Sequence, residues 1–166
     1  MGYGMAKKYS HLQNYIQRLR KRNKKEEKQI QQEIKELQKD QRKNPENRSA
    51  DKTRLTRLYG IKNLEIKMDS LIKELNNGYN IAEDLHKRAS RLGWTSVGRV
   101  KRKPNEEIKP EDNQRTRREK EKLFQRRAKD ANKAYKTWYR QYQKNIMIEK
   151  QISEIENRIN YLKNKI

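Results

Sequence analysis

Cysteine is absent from this 166-residue chain, which excludes disulfide bonds, thiol chemistry and zinc sites with cysteine ligands. Large apolar residues are also scarce, because Leu, Ile, Val and Phe together number 29 of 166. That fraction is below the roughly 20 % that, with high net charge, usually signals disorder. The apolar content is too small for a large spherical core and argues against most enzyme folds. We expect elongated helical structure, partner-dependent folding or disorder.

Long apolar runs are missing as well. No segment approaches the roughly 18 apolar residues that a membrane span needs. The N-terminus has no apolar signal region, and Ala6 stands where a myristoylation motif requires Ser or Thr. The sequence therefore predicts a protein that is not secreted, has no membrane partner, and resides in the cytoplasm or inside a particle such as a virion or ribonucleoprotein.

Catalytic motifs are not found either. The sequence contains no glycine-rich phosphate loop, no Ser/His/Asp set and no His or carboxylate cluster with metal-ligand spacing. The acidic pairs Glu106-Glu107 and Glu111-Asp112 are more simply interpreted as charges at a helix start. We predict no enzymatic activity, no catalytic residue, no cofactor, no metal and no small-molecule substrate.

Positive charge is what the chain has in excess. It carries 44 Lys and Arg against 22 Asp and Glu, a formal net charge of +22. The net charge is +8 over residues 1–50, +3 over 51–98, +10 over 99–144 and +1 over 145–166. The charge is thus concentrated in two blocks, and the last block is nearly neutral.

Apolar residues at helical spacing predict an all-α fold that begins with a hairpin over residues 8–75. The first helix should end before Asn44-Pro45, since proline disfavours helical geometry in the residue before it. The second should end at Asn76-Asn77-Gly78. A short helix ended by Gly93 would follow.

The remaining chain should form an extended arm and one long helix, because residues 111–166 contain neither Gly nor Pro. We predict an elongated molecule with four parts. These are a basic helical hairpin (1–76), a short helix (77–93), a basic extended linker or arm (94–110), and a long helix whose first half is basic and whose second half is neutral and coiled-coil-like (111–166).

A heptad ladder of apolar residues is the strongest local pattern, and it shifts face near Asn145. A buried Asn in such a seam can fix register and partner number. The ladder could bind a second copy or another helical protein, or it could pack on the chain's own hairpin, and the sequence does not separate these alternatives. The candidate seam consists of Asn145, Ile148, Ile152, Ile155, Ile159, Leu162 and Ile166.

Two groups of basic residues are candidates for contacts with the phosphate backbone of DNA or RNA, since Lys and Arg displace condensed counterions from phosphates. The alternative is a solvated helix face, but a merely solvated face usually mixes charges of both signs. The main group is Arg99, Lys101, Arg102, Lys103, Arg115, Arg117, Arg118, Arg126, Arg127 and Lys129. The second group, on the first helix, is Arg18, Arg20, Lys21, Arg22, Lys24 and Lys25.

Aromatic residues beside the basic block could stack on nucleic-acid bases. Tyr135, Trp138 and Tyr142 fall on the apolar seam and are better explained as core. Trp94, in the predicted arm, and Tyr139, off the seam, are the stacking candidates.

The segment around Ala89 and Gly93 resembles part of a helix-turn-helix motif, in which an Ala packs four residues before a turn Gly. Val97 and Val100 lie off the position that the motif's second helix uses for packing, and Gly98 would weaken that helix. The resemblance covers fewer than 25 residues, and a short helix ended by Gly93 explains the same pattern.

Our leading hypothesis is a non-enzymatic, largely sequence-neutral nucleic-acid-binding protein within a larger assembly, such as a virion or ribonucleoprotein. One alternative is a structural adaptor of a phage particle or secretion machine, whose basic surface binds acidic proteins. The other is a helix-turn-helix regulator that prefers one DNA sequence.

Overall fold

The structure is a computed structural model that describes residues 2–95 and 99–166, with side chains from residue 9 onward in the first helix. Three long helices account for most of it: α1 (Gly2–Lys43), α2 (Arg48–Arg91) and α3 (Gln114–Lys165). The chain is 88 % helical, which confirms the predicted all-α class. No strand is found in the described ranges.

The break between α1 and α2 lies where proline predicts it. Pro45–Asn47 forms a single 3₁₀ turn between the two helices. Asn44 donates its side-chain amide to Asp40 Oδ1 at 2.8 Å, and Asn47 donates to Asp40 Oδ2 at 3.4 Å. The Asp40 carboxylate therefore fixes the turn from the last part of α1.

The predicted helix stop at Asn76–Gly78 is wrong, because α2 continues through it to Arg91. Residues 77–91 therefore extend the second helix and do not form a separate short one. A glycine in a helix interior costs only about 1 kcal/mol relative to Ala, and Gly78 is buried against α3. Tertiary packing outweighs the local preference for a stop. The helix does end near Gly93, which has a φ of +95° that favours glycine.

The described residues between α2 and α3 fold back on themselves. Trp94 and Val100 form an isolated antiparallel bridge, and Pro104–Glu106 makes one 3₁₀ turn. The backbone N–H of Thr116 donates to Asn113 Oδ1 at 2.8 Å, so the side chain of Asn113 caps α3. The long helix begins at Gln114 and not at residue 111 as predicted, because Asn113 supplies the stronger cap.

The chain divides into two compact units, each containing parts of all three helices. The loop unit comprises Met1–Leu12 and Asn77–Asn145, and the turn unit comprises Gln13–Asn76 and Ile146–Ile166. The four-part division of the chain into domains remains a prediction, except that residues 77–91 of its short helix belong to α2.

In the turn unit, α1 and α3 run parallel and α2 runs antiparallel to both. Lys163 of α3 pairs with Glu26 of α1 at 2.9 Å. The side-chain amide of Asn23 donates to the backbone oxygen of Glu65 in α2 at 3.2 Å. Apolar faces from the three helices are buried. The buried apolar residues are Ile16, Leu19, Ile30, Ile34, Leu55, Leu58, Ile61, Met68, Leu71, Ile72, Leu75, Ile148, Ile152, Ile155 and Ile159.

The loop unit has a smaller core, which combines aromatic rings with alanines. Trp138 donates its indole N–H to the hydroxyl oxygen of Tyr9 at 2.9 Å, and both side chains pack with Ala82. A second cluster, nearer the loop, is formed by Ala89, Trp94, Ala131 and Ala134. Ala131 and Ala134 of α3 pack in one cluster with Ala89 of α2, so this face of α3 points inward.

Candidate nucleic-acid interface

The loop that precedes α3 is anchored by Arg127 and Glu106, which are both almost fully buried. Arg127 Nε donates to Glu106 Oε2 at 2.9 Å, and the terminal nitrogens donate to Glu106 Oε1 and to the backbone oxygens of Leu92 and Lys101. The Arg127 hydrogen bond, aided by the backbone N–H of Lys103, holds the pKa of Glu106 at about 2. This guanidinium joins three segments of chain.

Arg127 was predicted to contact phosphate, and the structure corrects that prediction because its donors are used inside the protein. Arg102 is likewise occupied. It donates to Glu121 Oε2 at 2.6 Å and to the Glu106 backbone oxygen at 3.1 Å. Its guanidinium also lies 4.1 Å from the ring centre of Phe124. Both arginines position the loop.

Three further members of the predicted basic groups have partners. Arg117 donates to the backbone oxygens of Asp112, Lys109 and Pro110 at 2.9–3.3 Å. Arg115 pairs with Glu119 at 3.4 Å in an exposed helix-surface contact, which is worth little energy. In the turn unit, Arg22 pairs with Glu156.

The acidic pairs near the start of α3 also have structural uses. Asp112 accepts a hydrogen bond from Lys120 Nζ at 2.6 Å, and Glu106 is held by Arg127 as described above. Among the described residues, no group of three or more His, Cys, Asp or Glu side chains could hold a metal ion.

Other predicted phosphate-binding residues of the loop unit are exposed. Within the part of the chain that the structure describes, their side chains form no ion pair. They are Arg99, Lys101, Lys103, Arg118, Arg126 and Lys129.

The structure adds three cations to this group, because the basic face of α3 continues beyond Lys129. Steps of three and four residues place Lys133, Lys136 and Arg140 on the same helix face as Arg126 and Lys129. All five are exposed and lie opposite the buried face of α3. We call Arg126, Lys129, Lys133, Lys136 and Arg140 the basic stripe.

The basic stripe is almost free of acidic residues. Asp130 is the only acid between residues 122 and 148, and it lies at the edge of the stripe, four residues after Arg126 and three before Lys133. None of the five cations forms an ion pair within the described ranges. The sequence itself indicates the three added residues, because Lys133, Lys136 and Arg140 continue the three-and-four spacing of Arg126 and Lys129.

Trp94 does not present a free face, so its predicted stacking role is wrong. It is only 7 % exposed. Its ring stacks on Tyr135 with centres 4.3 Å apart and planes 13° apart, and it meets the His86 ring edge-on at 6.4 Å. The position of Trp94 in a loop predicts a ring that is exposed for base stacking, but packing against α2 and α3 buries it.

Tyr139 is 45 % exposed, and Tyr142, which was assigned to the core, is 38 % exposed. Their ring centres lie 6.4 Å apart with planes 28° apart. Tyr135, Lys136, Tyr139 and Arg140 line an open groove of about 280 Å³ beside the basic stripe. The structure thus places exposed aromatic rings next to cations that form no ion pair with any described residue.

The first-helix group belongs to the turn unit and lies mostly in solvent. Arg20 is half-buried and Arg22 is paired with Glu156. The other members, Arg18, Lys21, Lys24 and Lys25, are exposed.

The predicted seam is largely covered by the chain itself, which is the self-packing alternative. In the turn unit, Ile148, Ile152, Ile155 and Ile159 are buried. Leu162 is half-buried against α2 near Gly60, whereas Ile166 is 40 % exposed. In the loop unit, Asn145 is buried and accepts a hydrogen bond from Gln141 at 3.0 Å.

The helix-turn-helix interpretation requires a second helix soon after Gly93. The described residues that follow Gly93 form the Trp94–Val100 bridge instead. Val97 and Gly98 lie outside the described residues. This bridge does not favour the helix-turn-helix alternative.

No protein-family model, no curated protein and no solved structure matches the chain. In the described ranges, no helix is both long and apolar enough to cross a lipid bilayer. The function of the protein is therefore inferred from its residues and their geometry alone.

Proposed function

We propose that this protein binds nucleic acid through the phosphate backbone, with little regard to sequence, and that the basic stripe of α3 is the principal contact. The supporting observation is that five exposed cations share one helix face and have no ion-pair partner among the residues that the structure describes. Bringing phosphates to such a face releases condensed counterions, and this release drives association. The exposed loop cations Arg99, Lys101 and Lys103 extend the contact in the same unit.

The dimensions of the basic stripe suit a phosphate chain. From Arg126 to Arg140 the helix rises about 21 Å, at 1.5 Å per residue. One strand of duplex DNA presents a charge about every 3.4 Å along its axis, so about six phosphates span the stripe. Five cations can thus engage neighbouring phosphates without large movement of the helix.

Sequence neutrality follows from the chemistry of these contacts, since bonds to phosphate and sugar carry no direct information about bases. Three of the five stripe residues, Lys129, Lys133 and Lys136, offer flexible point charges and not the fixed donor fork with which an arginine reads a guanine edge. Such a protein would serve as a non-enzymatic structural component of a nucleoprotein assembly, for example a virion or ribonucleoprotein.

The test is the salt dependence of binding to a random-sequence DNA duplex. Five phosphate contacts predict that the logarithm of the association constant falls with the logarithm of salt concentration with a slope of about −4.5. Changing all five stripe residues to Gln should remove most of this slope. A slope near zero in the unchanged protein would contradict the proposal.

A matched control neutralises five exposed cations of the turn unit with the same numbers of Lys and Arg. The control residues are Lys28, Lys35, Lys39, Arg42 and Arg48. The control should retain most of the affinity. An equal loss in both variants would mean that net charge alone drives binding and that the stripe is not a site.

An adaptor that binds acidic proteins could use the same cations. Purification with and without nuclease separates the two functions. A nucleic-acid-binding protein should lose its co-purifying absorbance at 260 nm after nuclease treatment, whereas an adaptor should keep its partner.

A further inference from the structure

Exposed aromatic rings beside the basic stripe go beyond what phosphate binding requires. Tyr139 and Tyr142 expose 45 % and 38 % of their surfaces, although both rings lie near buried Trp138. The Trp138 ring centre lies 5.4 Å from that of Tyr142 and 6.4 Å from that of Tyr139. The Tyr142 ring is stacked on Trp138 with planes 21° apart, the Tyr139 ring is tilted by 49° from it, and both tyrosines remain partly exposed.

The groove next to these rings has both an aromatic wall and a charged rim. Tyr135 and Tyr139 supply the wall, and Lys136 and Arg140 stand at the rim as part of the basic stripe. A nucleotide has the matching chemistry, with a flat π-face on its base and a negative charge on its phosphate. Stacking of a base on an aromatic side chain tolerates any base, since every base has a π-face.

The duplex form of nucleic acid does not offer a free base face, because its bases are stacked on one another. A single strand does, and it can place bases on a ring while its phosphates meet adjacent cations. We propose that the groove of Tyr135, Lys136, Tyr139 and Arg140, with the neighbouring Tyr142 ring, receives unpaired bases, so that single-stranded nucleic acid is the preferred ligand. This inference rests on the proposed phosphate contact and specifies its substrate class.

The experiment measures binding of the full chain to a 20-nucleotide thymidine strand, a 20-nucleotide uridine strand and a 20-base-pair duplex. Tyr139→Leu combined with Tyr142→Leu retains apolar bulk and helix propensity but removes both rings. We expect affinity for at least one of the single strands to fall fivefold or more, with duplex affinity and its salt dependence unchanged. Tyr139→Phe, which keeps the ring, should retain single-strand affinity.

Tyr161→Leu is the matched control, because Tyr161 is an exposed tyrosine on α3 in the turn unit. It should leave binding to all three ligands unchanged. Single-strand affinity that changes less than twofold in the double-leucine variant would overturn the inference, and so would an equal loss for duplex. In both cases a steep salt dependence in the unchanged protein would leave phosphate binding intact, whereas no salt-dependent binding to any ligand would overturn both proposals.

Discussion

The side-chain amide of Asn145 occupies the space that a Cβ atom on residue 78 would need, so any larger residue at that position of α2 would force the Asn145 side chain to move. The same space is bounded by the amide nitrogen of Gln141, 3.0 Å from the Cβ position. Gly78 and Asn145 therefore fix the register of α2 against α3 in the loop unit. Asn145 acts within the chain at the point where the sequence predicted a partner seam.

Replacing Gly78 with Ala should destabilise the protein by about 1–3 kcal/mol, because overpacking a tight contact costs more than the gain in helix propensity. Gly60→Ala is the matched control, since Gly60 is also in α2 and its Cβ position lies 3.8 Å from Leu162. That change should stabilise by up to about 1 kcal/mol. Chemical denaturation measures both. If Gly78→Ala is as stable as Gly60→Ala, the contact with Asn145 does not fix the register.

Arg126 and Arg127 are adjacent in sequence and should have opposite phenotypes. Arg127→Gln leaves Glu106 buried without its cation and should cost about 3 kcal/mol or more, with faster proteolysis of the loop. Arg126→Gln should leave stability within about 0.5 kcal/mol but reduce the salt dependence of duplex binding. Thermal denaturation and a salt titration on each variant distinguish them. Equal stability of the two variants would contradict a structural role for Arg127.

Glu65 should make the turn unit less stable as the pH rises. Its side chain is fully buried, and neither carboxyl oxygen has a hydrogen-bond partner among the described residues. Burial, with the nearby charges of Glu26 and Glu27 and partly offset by Lys163, raises the pKa of Glu65 to about 7. The folded state therefore binds a proton that the unfolded state releases near pH 4.5.

Stability contributed by protonated Glu65 is complete below about pH 4.5 and is lost as the pH rises through about 7. Glu65→Gln should flatten this part of the stability profile, measured by urea denaturation from pH 4.5 to 8. Glu74→Gln, at an exposed position of α2, should keep the slope. An unchanged slope in Glu65→Gln would refute the assignment.

His86 should give the loop unit the opposite dependence. Its ring lies between Trp94 and Trp138, with centres 6.4 and 5.8 Å away, and its Nε2 has no hydrogen-bond partner among the described residues. Burial lowers the pKa of His86 from 6.5. The unfolded state then binds the proton more readily, so stability should fall as the pH drops below 6.5.

Both tryptophans of the chain are in the loop unit, so their fluorescence reports this unit during denaturation. His86→Phe should remove the acid sensitivity seen in that signal, whereas His11→Phe, at an exposed position, should keep it. Persistence of the acid sensitivity in His86→Phe would assign it to another group.

The sequence predicted features that depend on local chemistry. The helix break at Asn44-Pro45 and the helix end at Gly93 follow from proline geometry and glycine's tolerance of positive φ. The continuation of α2 through Gly78 could not be predicted in this way, because it depends on packing against Asn145, 67 residues later in the sequence.

The candidate site was predicted only in part for a similar reason. Arg126 and Arg127 have the same side chain, and only their helix faces differ. Arg127 falls on the face of Phe124 and Ala131, a spacing that indicates an inward position. The burial of Trp94 could not be predicted from the sequence around it, because it depends on Tyr135 of α3, 41 residues later.

Each unit is completed by contacts between the two ends of the chain. In the loop unit Trp138 bonds to Tyr9, 129 residues away, and in the turn unit Lys163 pairs with Glu26, 137 residues away. Closing such long loops costs entropy before the contacts form, which slows folding. During synthesis, the apolar faces of α1 and α2 stay uncovered until α3 has been made, so neither unit can finish folding before its part of α3 has left the ribosome.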